Sequence, residues 1–438
     1  MLNWIFVALL GGAVLTGAFN GSLKAVTDAS ISSATNAVTL AVGLVGQRAI
    51  WLGFMRVLQD AGLMASLARG LRPLIRRLFP EVPADHPALG AMILNLSANI
   101  LGLGNAATPF GLKAMVELER LNPRPGVATN AMALFLAINT SGLAILPLTV
   151  IGIRAAMGSK DATGIILPTL MATTVSAVTA VVFAKFLQRL PAYAPERFGA
   201  EGTSPAAATR GPSEEALAKA AAVAETEARA TPQRLVVGLG IMGTLAVALV
   251  LAATRLQGTA FDRARVLLSE WMLPVLMLSI ATVGFVRGVK VYESFLAGAK
   301  EAFQIATSII PFLVAILVAV GMFRAAGALD AVVSVVGPWS AAVGVPAEAL
   351  PMAFIRPLSG SGATAILTET MKVHGPDSLI GWVVSVMNGS TETTFYMLAV
   401  YYGAVGVKAV RHTVPACLAA DVAGLLSAAW FARMFHHG

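Results

Sequence analysis

Asn388-Gly-Ser-Thr-Glu-Thr393 stands in the middle of an otherwise apolar stretch, residues 378–407, and Asn139-Thr-Ser-Gly142 stands in the middle of another, residues 125–153. Carboxamides, hydroxyls and a carboxylate can hold a polar solute or an ion, and they are costly to leave facing hydrocarbon. Interhelical hydrogen bonding, at about 0.6 kcal/mol per pair, accounts for Asn139 and Thr140 taken alone. It fits the second cluster poorly, because that run includes an ionisable Glu392 and a glycine. Both clusters are expected to face a polar cavity and to unwind their helices there.

Each cluster follows a glycine-broken stretch: Leu101-Gly-Leu-Gly-Asn-Ala-Ala-Thr-Pro109 and Arg356-Pro-Leu-Ser-Gly-Ser-Gly-Ala-Thr364. With about ten residues per arm, neither can cross a bilayer singly, so residues 88–121 and 349–371 read as re-entrant hairpins. Their exposed amides and carbonyls are natural ligand groups. The plainer reading is that the glycines only permit close helix packing. Arg356 and Glu392 are the charges at the expected centre of the second half. They either neutralise one another, or Arg356 attracts an anionic solute while Glu392 binds a coupling H⁺ or Na⁺. Arg48, Glu369 and Asp421 are weaker candidates, and Lys408 and His412 read as interfacial.

The elements that position these groups must be membrane helices. Of 438 residues, 57% are apolar and only 12% charged, with a mean hydropathy of +0.76, where a soluble chain would carry about a quarter charged residues. The excess of 31 Lys+Arg over 23 Asp+Glu lies between apolar runs, which points to an anionic leaflet rather than nucleic acid. The single Cys417 excludes an internal disulfide and a CxxC metal site, and the five histidines have no ligand-spaced partners. Nine spans are expected, at residues 2–23, 37–55, 125–153, 162–184, 235–254, 271–286, 302–323, 378–407 and 412–432. The N-terminal run lacks a basic leader and reads as a retained span.

Residues 191–233 turn to Ala, Glu, Ser, Pro and Thr, the composition of a solvated linker with one short helix at 213–229. The linker separates a first membrane repeat, residues 1–190, from a second, residues 234–438. Phe54-Met-Arg-Val-Leu-Gln-Asp-Ala-Gly62 and Met322-Phe-Arg-Ala-Ala-Gly327 occupy equivalent places, as do the hairpins and polar centres. The segment 63–79 carries Arg69, Arg72, Arg76 and Arg77, while its counterpart 328–345 carries no Lys or Arg. The positive-inside rule puts them on opposite faces, so the repeats are expected to be inverted, with the N-terminus and linker cytoplasmic. Arg255, Arg263 and Arg265 go against the rule.

Trp51-Leu-Gly-Phe-Met55, Leu74-Ile-Arg-Arg-Leu-Phe-Pro80 and Leu101-Gly-Leu-Gly-Asn-Ala-Ala-Thr-Pro-Phe-Gly111 resemble spore maturation protein A. Arg356-Pro-Leu-Ser-Gly-Ser-Gly362, Gly389-Ser-Thr-Glu-Thr-Thr-Phe-Tyr396 and Tyr402-Gly-Ala-Val-Gly406 resemble spore maturation protein B. The chain thus looks like a fusion of the two within the nucleoside-recognition, gate-domain proteins, whose relatives include the membrane gate of ferrous iron transporter B and, more distantly, concentrative nucleoside transporters. The resemblance implies a gate-like transporter fold.

Together these readings give an all-α integral membrane protein of the bacterial cytoplasmic membrane: inverted repeats, two re-entrant hairpins and broken central helices. Its solute site is expected where Gly104, Asn105 and Thr108 of one tip and Ser359 and Ser361 of the other meet Asn139, Thr140 and Ser141 and Asn388, Ser390, Thr391 and Glu392, with Arg356 biasing the pocket towards an anionic or carbonyl-bearing group. The expected function is that of a secondary transporter or permease of a small polar, anionic or nucleoside-like solute. The alternative is a non-transporting scaffold for spore or envelope maturation. No P-loop, HExxH, GxSxG or paired-carboxylate signature occurs, so neither ATP-driven transport nor an enzyme is expected. No cofactor is expected beyond a coupling ion, and no partner beyond solute, lipid and a further copy of the chain.

Overall fold

The computed structural model describes residues 2–43, 45–100, 104–198, 231–256, 267 and 271–436. Among these the chain is all helical: α1 (Leu2–Phe19), α2 (Leu23–Gly43), α3 (Val45–Asp60), α4 (Leu63–Leu78), α5 (Pro87–Ile100), α6 (Gly104–Arg120), α7 (Asn130–Thr140), α8 (Leu148–Ala156) and α9 (Ile166–Leu187), then α10 (Pro232–Arg255), then α11 (Met272–Val286), α12 (Val291–Ala325), α13 (Ala328–Ala342), α14 (Leu350–Ile355), α15 (Gly360–His374), α16 (Leu379–Ser390), α17 (Thr394–Val405) and α18 (Thr413–Phe435). The expected linker helix at 213–229 lies outside the described residues, as do Arg263, Arg265 and the side chain of Arg48.

The order of elements repeats. α1 corresponds to α11, α2 with α3 to the long α12, α4 to α13, the hairpin α5–α6 to α14–α15, the pair α7–α8 to α16–α17, and α9 to α18; α10 is extra. The punctuation repeats too. Gly62 and Gly327 take φ of +69° and +77° after α3 and α12, a turn that a side chain resists. Thr129 caps α7 by accepting from the Met132 amide, and Ser378 caps α16 by accepting from the Gly381 amide.

Contacts between the copies give their relative direction. Where α17 ends and α7 begins, the Lys408 and Ala409 amides donate to the Gly126 carbonyl at 2.9 and 3.0 Å, and the Ala128 amide donates to the Ala409 carbonyl at 2.9 Å. Where α8 ends and α16 begins, Arg154 donates to the Pro376 carbonyl at 2.5 Å and the Lys160 amide to Asp377 Oδ2 at 2.7 Å. Each broken crossing starts beside the end of the other, so equivalent crossings run antiparallel and the repeats are inverted. The scaffold obeys the same two-fold relation: Asn20 donates to the Ala326 carbonyl at 3.0 Å, and its equivalent, Arg287, donates to the Ala61 carbonyl at 3.1 Å. α2 and α3 pack along α12, and α9 along α18.

Three described helices, α9, α10 and α18, are long and apolar enough to cross a bilayer alone. α7 and α8, of 11 and 9 residues, reach about 16 and 14 Å at 1.5 Å per residue, so only the broken pair crosses about 30 Å. The chain is a multi-pass membrane protein. Each hairpin enters and leaves on one face. Its arms are unequal where ten residues each were expected: 14 and 17 residues in the first, 6 and 15 in the second. Pro346 and Pro351 lie at the start of the second hairpin, where the chain enters through a 3₁₀ turn, Ala347–Ala349, before α14. The second crossing runs through α2 and α3, residues 23–60, well beyond the expected 37–55, because Ser and Thr hydroxyls such as Thr27, Ser30 and Thr35 bond their own helix's carbonyls.

α4, the arginine-bearing segment, lies on the face where α7 begins and the linker leaves. There Arg411 donates to the carbonyls of Ala128 and Tyr193, each at 2.8 Å, so the first turns after α9 are docked on the bundle. His412 is fully buried beneath them, against the Tyr193 ring, rather than interfacial. Single cysteines placed in α4 and α13 of a Cys417→Ala protein are expected to react with an impermeant maleimide from opposite sides of sealed vesicles. Labelling of both from one side would contradict the inverted arrangement.

Candidate functional site at the meeting of two broken helices

The unwound segment between α7 and α8 covers residues 141–147, and that between α16 and α17 residues 391–393. They touch at the centre. The Glu392 amide donates to the Thr140 carbonyl at 2.8 Å, and Gly142, at φ +65°, lies so close to Thr391 that a Cβ there would stand 2.8 Å from the Thr391 carbonyl carbon. Each hairpin tip joins its own repeat's break. The Ile145 amide donates to the Ile100 carbonyl at 3.1 Å, and the Phe395 amide to the Pro357 carbonyl at 3.0 Å. Asn99 donates to Asn139 Oδ1 at 2.8 Å, while the Arg356 guanidinium donates to the Thr391 carbonyl and stands 3.6 Å from Glu392 Oε2.

The two breaks and the second tip therefore meet, while the first hairpin reaches its break through Asn99 and Ile100 rather than through a described contact of residues 104–108, and the side chains are used unequally. Asn139, Thr140 and Ser141 are buried, and they donate to carbonyls of their own helix, Phe135, Ala137 and Ile138, at 2.8, 3.1 and 2.6 Å, instead of facing a cavity. Only the Ile138 carbonyl, bound by Ser141, is an end carbonyl that the backbone leaves over; the Ala137 carbonyl also accepts from the Ser141 amide. Thr108 is half-buried in α6; the side chain of Asn105, at the start of that helix beside Gly104, lies outside the described residues. In the second repeat Ser359 caps α15 by accepting from the Gly362 amide and lies 3.4 Å from Ser361. Ser390 bonds the Met387 carbonyl, and the buried Asn388 carboxamide donates to the Met352 sulfur at 3.9 Å.

Unpartnered polar atoms gather at the second break. Among the described residues, Arg356 Nε, Thr391 Oγ1 and Asp421 Oδ1 are buried without a hydrogen-bond partner, whereas Glu392 keeps about half its side chain (53%) exposed. Buried polar atoms are ordinarily satisfied by protein, water or ligand, so these three keep hydrogen-bonding capacity that the described protein atoms leave unused. Arg356, at the tip, holds Glu392 and the Thr391 carbonyl together. Both readings of that arginine are chemically compatible with the contact, because the partly exposed carboxylate leaves the guanidinium able to exchange partners.

Other participants were hidden in apolar segments. Thr173 of α9 donates to the carbonyls of Ser141 and Gly142 at 3.0 and 2.9 Å, and Thr394 donates to Asp421 Oδ2 at 2.7 Å. Asn95 donates to the Ala107 carbonyl and to the Tyr401 hydroxyl, joining the first hairpin to α17. Asn95 and Asn99 are four residues apart on α5, a one-face spacing that could have exposed them. Arg154, fully buried near the end of α8, binds Asp377, Ser159 and the Asp161 carbonyl at 3.0, 3.2 and 3.0 Å and lies 5.3 Å above the Trp382 ring. Glu369 pairs instead with Arg324 of α12, at 3.0 Å.

Two proteins of Bacillus subtilis (strain 168) match most of their own length. Spore maturation protein A is 40% identical over 186 residues, 42% of this chain and 95% of that protein. Spore maturation protein B is 46% identical over 160 residues, 36% of this chain and 90% of that protein. The chain belongs to the spore maturation protein family. It joins relatives of both kinds in one polypeptide, and the family profile described as "Gate: Nucleoside recognition" matches residues 41–197, which include the first hairpin and first break of this fused family member. Among solved structures, the Alcanivorax borkumensis YdaH transporter, described as having an unusual topology, aligns over 99% of this chain and 96% of its own at 14% identity and a TM-score of 0.45.

Proposed function

We propose that this chain is a secondary transporter or permease for a small polar solute, anionic or nucleoside-like, in the bacterial cytoplasmic membrane. The observation that carries the reading is the meeting of two antiparallel broken crossings at Glu392 and Thr140. Helix breaks at membrane depth survive only inside protein or beside a polar cavity, and inverted copies provide two related arrangements around one site. The positive-inside rule orients the arginine-bearing α4, the N-terminus and the linker towards the cytoplasm. Arg356 would hold the anionic or carbonyl group of the solute, and Glu392 would bind a coupling H⁺ or Na⁺. The proposal needs no catalytic group, prosthetic cofactor or nucleic acid, and it is compatible with a homo-oligomer.

The names of the two Bacillus relatives favour a second reading, a membrane scaffold for spore or envelope maturation. Uptake into proteoliposomes separates the two. Purified chain should accumulate at least one labelled solute from a panel of nucleosides, nucleotides and small carboxylates, under an imposed proton or sodium gradient. Arg356→Gln should lower that uptake about tenfold or more, the value of one charge-assisted hydrogen bond. Glu392→Gln should change its gradient dependence. If no panel member is taken up, and Asn139→Ala and Asn388→Ala leave maturation intact in cells, the scaffold reading stands. If Arg356→Gln abolishes folding and Glu392→Gln restores it, the pair is structural.

A further inference from the structure

A second polar concavity lies away from the helix breaks, on the face that carries α4. It is a cavity of about 710 Å³ at the foot of α10, α11 and α12, bounded also by the end of α3. Three cations line it: Arg234, Arg287 and Lys290. None has a carboxylate partner among the described residues. Arg234 rests over the Phe285 ring at 5.5 Å, and Arg287 is tethered to the Ala61 carbonyl at 3.1 Å and to Ser66 Oγ at 3.4 Å. Of the two acids in the lining, Asp60 is already held by Arg56 at 3.1 Å and by Ser294 Oγ at 2.7 Å. Glu293, exposed in the first turn of α12, is the one opposing charge. The N-terminus of the 35-residue α12 opens here without a side-chain cap, adding its unpaired amides to the positive field.

The surroundings distinguish a lipid site from a site for a free anion. Immediately beyond the cations, α10 and α11 show bare apolar surface: Val236 is 70% exposed, Leu239 64% and Phe285 39%. That surface lies along the membrane crossing, so a ligand with its phosphate at Arg234, Arg287 and Lys290 would lay its chains against Val236 and Leu239. Basic pockets between membrane helices on the positively charged face suit anionic headgroups.

We propose that this cavity is a specific site for the phosphodiester headgroup of an anionic phospholipid, occupied from the leaflet on the α4 face. It would staple the extra helix α10 to the second repeat at the point where the linker re-enters the membrane. The site is separate from the proposed solute path, so its fate does not depend on the transport reading.

The test is lipid retention and thermal stability of the full-length purified chain in detergent. Phosphatidylglycerol should raise the unfolding temperature and stay bound through gel filtration, whereas phosphatidylcholine should do neither. Arg287 supports the fold through Ala61, so the informative variant is Arg234→Gln with Lys290→Gln. Each interfacial cation is worth about fivefold, so this pair should retain phosphatidylglycerol about thirtyfold more weakly while unfolding like wild type without added lipid. Arg72→Gln with Arg77→Gln, on the same face but outside the cavity, should retain it unchanged. An equal loss in that second variant would reduce the effect to general surface charge and overturn the proposal. So would equal stabilisation by inorganic phosphate, which would identify a free-anion site, or retention of phosphatidylglycerol undiminished in Arg234→Gln/Lys290→Gln.

Discussion

Replacing Arg154 by methionine is expected to lower the unfolding free energy by about 3 kcal/mol, at the lower end of what breaking a buried pair costs. The guanidinium is fully buried and joins the end of α8 to the start of α16 through the Pro376 carbonyl, Ser385 and Asp377. Methionine fills a similar volume but leaves the Pro376 carbonyl unpaired. Asp377 is about a third exposed, so water can take up part of what it loses, which keeps the figure low. Arg124→Met, which removes the partner 3.7 Å from Glu196 in a pair exposed on both sides, should cost under about 1 kcal/mol. Thermal unfolding in detergent compares the two, and equal losses would mean that Arg154 is not a lock. The same site predicts a pH effect. Partial burial pulls the Asp377 carboxyl up, but hydrogen bonds from Ser159 and the Lys160 amide, with the Arg154 charge, outweigh it and hold the group below the usual carboxylate range. Its contribution is therefore present above the ordinary carboxylate value and lost as pH falls through the lower folded value. Asp377→Asn should remove that acid-side loss.

Gly142→Ala should be the most damaging single methyl group at the centre. The position combines φ of +65° with contact against the Thr391 backbone, which cannot move aside as a side-chain end could. Left-handed backbone costs a side chain about 1–2 kcal/mol, and overpacking adds about 1–3 kcal/mol. Gly158→Ala is the control: φ is +78° there, but nothing lies within 4 Å of the new Cβ. The difference between the two in unfolding midpoint reports the cost of separating the breaks. Solute uptake, where measurable, should fall in Gly142→Ala alone. Equal effects in both would leave the backbone conformation as the whole cause.

The repeat was legible because turns and charges write themselves into sequence. Gly62 and Gly327 stand at equivalent ends of helices, and the arginines of α4 against their absence in α13 carry the inversion. The two helix breaks were legible for a related reason, since Asn388 to Thr393 has no stable place in lipid. What each side chain does there was not. Asn139 to Ser141 turn onto their own helix, a local choice that depends on how far the helix end unwinds. Arg154 escaped notice because it stands at the edge of an uncharged run, where an arginine ordinarily reaches the interface; its burial depends on Asp377, more than 200 residues away. Thr173 and Thr394 look like ordinary hydroxyls of apolar helices until the fold brings their acceptors, the Ser141 and Gly142 carbonyls and Asp421 of the same repeat, beside them. Residues 191–198 read as solvated chain by composition, yet Arg411 fastens them to the bundle.

Five contacts between the repeats are made outside residues 199–230. Asn20 to Ala326, Arg287 to Ala61, Lys408 to Gly126, Arg154 to Pro376 and Glu392 to Thr140 are each made by residues before 199 or after 230. The described start of the join adds the Arg411–Tyr193 contact, and covalent linkage itself raises the effective concentration of one half at the other and fixes their ratio at one to one. Two separate chains carrying the same surfaces would face only a dilution penalty in the plane of the membrane, consistent with relatives of the two kinds existing as separate proteins.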